Sequence, residues 1–159
     1  MTHLKLLGLC GSLRRASYNR AALNLAAAQM PAGMELKIAD IDAVPLFNGD
    51  EFADGFPAAV SALRESMNEA DGILIATPEY NFGIPGVLKN VLDYVSRGTR
   101  QPFACKPVAI SSASPGMPGG ARVQSEPPTA PLVQWPRRWV RPRVCTAAAP
   151  DQTARVRRR

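Results

Sequence analysis

Residues 4–19 read Leu-Lys-Leu-Leu-Gly-Leu-Cys-Gly-Ser-Leu-Arg-Arg-Ala-Ser-Tyr-Asn. Leu4, Leu6, Leu7, Leu9 and Cys10 make an apolar run of the kind that is buried on both faces of a parallel sheet. The segment Arg20–Met30 that follows is rich in Ala and Leu and has no Gly or Pro, which predicts a helix. Between them, Gly11–Asn19 is a short loop of small and polar residues. A strand, such a loop and a helix form an anion site in many α/β sheets, because loop N–H groups and the positive end of the helix converge on one ligand. Ser12, Ser17 and Asn19 add short polar groups, and Arg14 adds a charged fork suited to phosphate. The loop is not a Walker A motif, since no Gly-Lys-Ser/Thr follows, and it lacks the Gly-x-Gly-x-x-Gly of dinucleotide folds. An ordinary β–α turn with Ser17 as helix N-cap fits the same letters.

The chain of 159 residues has the length of one domain. No run approaches the ~18 apolar residues of a membrane span, and Leu4–Cys10 is too short for a signal-peptide core. The net charge of +6 would point to nucleic acid if it were spread evenly. It is not. Residues 1–121 carry ten basic and eleven acidic side chains, whereas residues 122–159 carry nine Arg against Glu126 and Asp151. The basicity belongs to the last forty or so residues and says nothing about the body. Three cysteines without Cys-x-x-Cys spacing point to reduced thiols and a cytoplasmic protein. One histidine, His3, is too few for a zinc site or a histidine-based nucleophilic triad, so no metal is expected.

Further along, Glu35–Ala39 reads as a short alternating strand, Asp40–Phe56 as a loop, and Pro57 as the first residue of a helix whose stripe is Val60, Leu63, Met67 and Ala70. Gly72–Ala76 is a third strand, apolar throughout. It runs into Thr77-Pro78-Glu79-Tyr80-Asn81-Phe82-Gly83-Ile84-Pro85-Gly86. There Pro78 stops the ladder and Gly83 and Gly86 are expected to permit close backbone approach. A polar rim beside Tyr80 and Phe82 suits a flat heteroaromatic ligand, and a surface turn with locally packed aromatics is the plainer reading. A helix over Val87–Arg97 ends at Gly98. A fourth strand, Pro107–Ser112, opens into the glycine-rich Ala113–Arg122. Three loops at the carboxyl ends of strands one, three and four meet if the sheet order is 2-1-3-4. That order is the α/β, flavodoxin-like doubly wound arrangement, with its ligand crevice at the switch between strands one and three.

Four ordered motifs carry a resemblance: Gly11-Ser12-Leu13-Arg14 with Ser17-Tyr18-Asn19; Thr77-Pro78-Glu79-Tyr80-Asn81; Leu88-Lys89-Asn90 with Asp93-Tyr94; and Gly119-Gly120-Ala121-Arg122. Over residues 4 to about 122 the chain resembles the NADPH-dependent FMN reductases, in the branch known as chromate or quinone reductases. The resemblance implies bound FMN. Ser12, Arg14, Ser17 and Asn19 would hold its phosphate, while Pro78, Glu79, Tyr80 and Asn81 with Ser112 to Gly116 would border the ring. It also implies NADPH or NADH as hydride donor, quinones, chromate-like oxidants or other small acceptors, and a homodimer or tetramer with the third helix in the contact. No catalytic residue is expected from the protein, because flavin N5 carries the chemistry.

After Arg122 the motifs stop. Six prolines interrupt residues 123–159, and Gly is lacking there. This divides the chain into an FMN-binding domain, residues 1–121, and an Arg/Pro-rich tail, residues 122–159, disordered or read out of frame, with the fifth strand missing. Strand four would then present a bare edge. The alternative function is a non-enzymatic protein whose basic tail binds nucleic acid. Neither a membrane nor nucleic acid is the expected partner of the body.

Overall fold

The computed structural model describes residues 3–50, 55–115, 120 and 122 and the backbone of 143–146. The strands are β1 (Leu4–Cys10), β2 (Met34–Ile38), β3 (Gly72–Ala76), β4 (Val108–Ala113) and β5 (Arg143–Thr146). The helices are α1 (Tyr18–Ala28), α2 (Ala58–Glu69) and α3 (Gly86–Val95). The sheet runs β2-β1-β3-β4-β5 with every neighbouring pair parallel, so the expected 2-1-3-4 order stands. The reversal of strand order falls between β1 and β3, which pair from Leu6–Gly72 to Cys10–Ala76.

Burial follows the apolar pattern. On one face Leu7, Leu9, Ile73 and Ile75 pack with Leu63, Met67, Leu88, Val91, Leu92 and Val95 of α2 and α3. On the other, Cys10 and Ala76 pack with Leu23 of α1 and with Leu36, Ile38 and Leu74. The stripe Val60, Leu63, Met67 and Ala70 is buried as the spacing requires. Pro57 lies one place earlier than expected, at the N-cap with ψ 148°, because its extended ψ precedes the first helical residue.

Two helix ends are closed by cations from elsewhere in the chain. Lys106 Nζ donates to the carbonyls of Met67, Asn68 and Ala70 at 2.8, 2.7 and 2.5 Å, at the end of α2. Arg64 donates to Val95 and Arg97 at 2.7 and 2.8 Å and to Arg100 at 2.5 Å, past the end of α3. Its guanidinium carbon lies 4.2 Å from the centre of the Phe56 ring. The carbonyls of Met67, Asn68 and Val95 lie in the last turns of their helices, where no partner is available within the helix, and a cation there also meets the negative end of the helix dipole.

One expectation is corrected. The edge of β4 is not bare: Arg143–Thr146 lies beside it, from Ile110–Arg143 to Ala113–Thr146. Prolines 142 and 150 leave the run between them free, and Val144 and Thr146 are β-branched, so a four-residue strand is possible where a helix is not. The expected disorder of residues 123–142 and 147–159 concerns residues outside those described.

Candidate functional site

Parallel strands deliver their loops to one edge, and here the loops after β1, β3 and β4 are tied together there. Gly11 N donates to Ala76 O at 2.8 Å and Thr77 N to Ser111 O at 3.0 Å. The Asn19 amide reaches across to β4, donating to Ala113 O and accepting from Ala113 N, both at 3.0 Å. Gly11 is the close approach in this region: a Cβ there would stand 2.7 Å from Thr77 Cβ. Gly86, expected to serve that purpose, faces open space. The difference arises because Gly11 sits between two paired strand ends, whereas Gly86 begins a helix at the surface.

Of the six buried polar or charged residues among those described, five gather at this edge: Ser12, Ser17, Asn19, Thr77 and Ser112. Buried polar groups are costly unless partnered, so their clustering marks a place built for hydrogen bonding. Ser17 caps α1, accepting from Arg20 N at 3.3 Å, as its place before the helix leads one to expect. Ser12 Oγ accepts from Arg14 N at 3.4 Å. Cys10 Sγ lies beneath the loop, 3.4 Å from Ser12 O and 4.0 Å from Ser17 Oγ. Arg14 is exposed at the rim. The first turn of α1 contains no acidic side chain, so its positive end is not neutralised from within the helix. Ser112 Oγ, 2% exposed on β4, is buried without a hydrogen-bond partner.

The loop after β3 turns tightly. Tyr80 and Gly83 exchange backbone hydrogen bonds at 3.0 Å each way, around Asn81 and Phe82 at φ 51° and 68°. Two consecutive left-handed residues make the primed turn of a two-residue hairpin, a conformation that costs about 1–3 kcal/mol per non-glycine residue. Pro78 is buried, while Tyr80, Asn81 and Phe82 stand exposed. Glu79, which sequence analysis placed beside the ring, has a largely buried carboxylate directed at Arg122: Oε2 accepts from Arg122 N at 3.1 Å, and Oε1 lies 3.7 Å from Nη1. Gly116 lies outside the described residues.

Asn90 and Tyr94 of α3 supply one further support. Asn90 accepts from Phe47 N and donates to Pro45 O, both at 2.7 Å, and Tyr94 donates to Leu46 O at 3.1 Å. Phe47 packs edge-on to Tyr94, ring centres 5.0 Å apart. The loop after β2 is thereby fastened to α3 with Leu46 held outward, 84% exposed. Asn90 and Tyr94, four apart and so on one face of α3, were the available signal.

The donor set fits a phosphorylated planar ligand. A loop of buried hydroxyls at a helix N-terminus with a cation at its rim meets a phosphate. Ser112 adds a buried hydroxyl without a partner, and the turn after β3 presents two exposed aromatic side chains, Tyr80 and Phe82. Among the described residues there is no cluster of His, Cys, Asp and Glu able to hold a metal, and no helix is long and apolar enough to cross a membrane.

Comparison with known proteins agrees with this geometry. The family model described as NADPH-dependent FMN reductase matches residues 4–142, which runs past the point where the sequence motifs stop. An NAD(P)H-dependent FMN reductase of Pseudomonas aeruginosa is 52% identical over 121 residues, 76% of this chain and 65% of that protein. A quinone reductase of Escherichia coli is 45% identical over 123 residues, with the same two coverages. The chain thus spans 65% of the length of these curated relatives. Among solved structures, a flavoenzyme NAD(P)H:(acceptor) oxidoreductase of Paracoccus denitrificans superposes with a TM-score of 0.77 at 28% identity, covering 87% of this chain and 75% of that one.

Proposed function

The chain belongs to the NADPH-dependent FMN reductase family, and on that premise we propose that its three-loop edge holds FMN and serves electron transfer from NADPH or NADH to quinones or other small acceptors. The observation that carries this reading is the buried polar cluster at the switch between β1 and β3, with Ser112 Oγ unpartnered. Bound FMN would supply the redox chemistry, accepting hydride and passing electrons on.

The chain's own contribution is position and electrostatics. Ser12 and Ser17, the N-terminus of α1 and Arg14 would hold the phosphate. Asn19, with both functions of its amide engaged by Ala113, would set the distance between the phosphate loop and the β4 loop. The backbone of Pro78–Asn81 and the hydroxyl of Ser112 would border the ring. No side chain is assigned a proton-transfer role. The family resemblance implies a homodimer or tetramer with α3 in the contact, and the outward Leu46, fastened to α3, is apolar surface suited to such a contact. A cytoplasmic location accords with the reduced-thiol reading.

The reading is tested by following absorbance near about 450 nm, the flavin band, after reconstitution with FMN. NADPH or NADH should bleach it before any acceptor is added, and a quinone should restore it. Oxidation of nicotinamide that needs donor and acceptor bound together would contradict this order. Arg14→Gln should weaken FMN by about ten- to a hundredfold while barely affecting riboflavin, since one charge-assisted bond to the phosphate is lost. Equal losses for the two flavins would place Arg14 elsewhere.

A further inference from the structure

Arg122 stands where the sequence motifs run out, yet three of its groups engage the turn after β3. Its backbone N–H reaches Glu79 Oε2 at 3.1 Å, its Nη1 lies 3.7 Å from Glu79 Oε1, and its guanidinium carbon lies 4.4 Å from the centre of the Phe82 ring. The Glu79 side chain is 13% exposed and that of Arg122 53%, so this ion pair is shielded from water on one side. Phe82 is one of the two left-handed residues that make the turn. The residue is 62% exposed, and its ring has the cation over one face. Gly120, two residues before Arg122, is itself buried and left-handed at φ 81°, which brings the chain onto the turn at a conformation that glycine adopts freely.

We propose that Arg122 is a positioning residue: together with Glu79 it clamps the Tyr80–Gly83 turn in its strained form, so that this turn presents one wall to the ring of the bound flavin. The proposal rests on the FMN reading for its ligand, but the clamp is a property of the chain alone. The wall borders the ring and not the phosphate, so loosening it weakens every flavin equally, in contrast to Arg14. A cation–π contact and a half-shielded ion pair together correspond to about a three- to tenfold change in affinity.

Two measurements on the full chain test this. In the first, FMN and riboflavin are titrated into wild type, Arg122→Met and Arg122→Lys by quenching of flavin fluorescence. Arg122→Met should weaken both flavins by the same three- to tenfold, and Arg122→Lys should recover part of the loss, because it keeps the charge and gives up the planar contact. Affinities within twofold of wild type in Arg122→Met, or a loss confined to FMN, would overturn the proposal. The second needs no flavin. Trypsin cleavage after Arg122, followed by mass spectrometry in wild type and Glu79→Gln, should be several-fold faster in the variant, which retains an acceptor and lacks the charge. An unchanged rate would overturn the clamp. Flavin failing to bind any variant while the trypsin rates differ would sink the FMN reading and leave the clamp standing.

Discussion

Asn19 links two ends of the site through one side chain. Its amide pairs with both backbone groups of Ala113, ninety-four residues away, and it is 3% exposed. Asn19→Leu should therefore destabilise the fold by about 2–3 kcal/mol, leaving a buried N–H and C=O without partners, as read by chemical denaturation. An effect below 0.5 kcal/mol would mean that Ala113 finds other partners. Gly11→Ala should be as severe for a different reason: a methyl group there collides with Thr77, which is fully buried and cannot yield. Reduced flavin affinity is expected in both variants. The contrast shows what a sequence discloses at this scale. The small polar residues of Gly11–Asn19 announce an anion loop, because short donors and glycine have few other uses between a strand and a helix. Which partner each one takes is settled by residues far along the chain. Asn19 reads as a phosphate ligand and Glu79 as a group at the ring, and neither the Ala113 pairing of the first nor the Arg122 pairing of the second could be read from the sequence.

The helices obey their own chemistry at the start and borrow at the end. Ser17 caps α1, whereas Pro57 and Pro85 precede α2 and α3 with no side-chain cap at all. The C-termini of α2 and α3 rely on Lys106 and Arg64. Burial lowers the pKa of Lys106 from its ordinary value, the charge of Asp71 opposing that shift. Lys106→Met keeps the aliphatic stem and removes three donors, so it should destabilise by about 1.5–3 kcal/mol in thermal or chemical unfolding. A neutral outcome would show that water replaces the ammonium without loss. Apolar stripes made the helices legible in advance, since Val60, Leu63 and Met67 can face only one way. Caps supplied from outside the helix leave no such trace. The tail is the opposite case: its prolines argued against any element, yet the unpaired edge of β4 recruits the proline-free stretch Arg143–Thr146. On composition alone, deleting residues 123–159 would change nothing. With β5 in place the same truncation should lower the melting temperature by several degrees and speed amide exchange in β4, and identical melting curves would contradict the pairing.

Across the whole molecule, charge and fold are divided differently. Nine of the nineteen basic residues lie at or after Arg122, while the crevice is built almost wholly from residues before it. A near-neutral body with a loop of buried hydroxyls at its switch point is suited to a small anionic cofactor, with positive charge supplied locally by Arg14 and the N-terminal end of α1 beside that loop. Parallel pairing at all four strand junctions is what brings the loops after Cys10, Ala76 and Ala113 to one edge. That consequence of topology was legible once four apolar runs had been ordered, because right-handed crossovers leave little choice. The central claim is that this edge is an FMN site whose phosphate loop discriminates. It is tested most directly by titrating FMN into the purified chain with riboflavin as competitor and reading flavin fluorescence. The account predicts saturable one-to-one binding of FMN, about ten- to a hundredfold tighter than riboflavin. No binding, or equal affinity for the two, would contradict it.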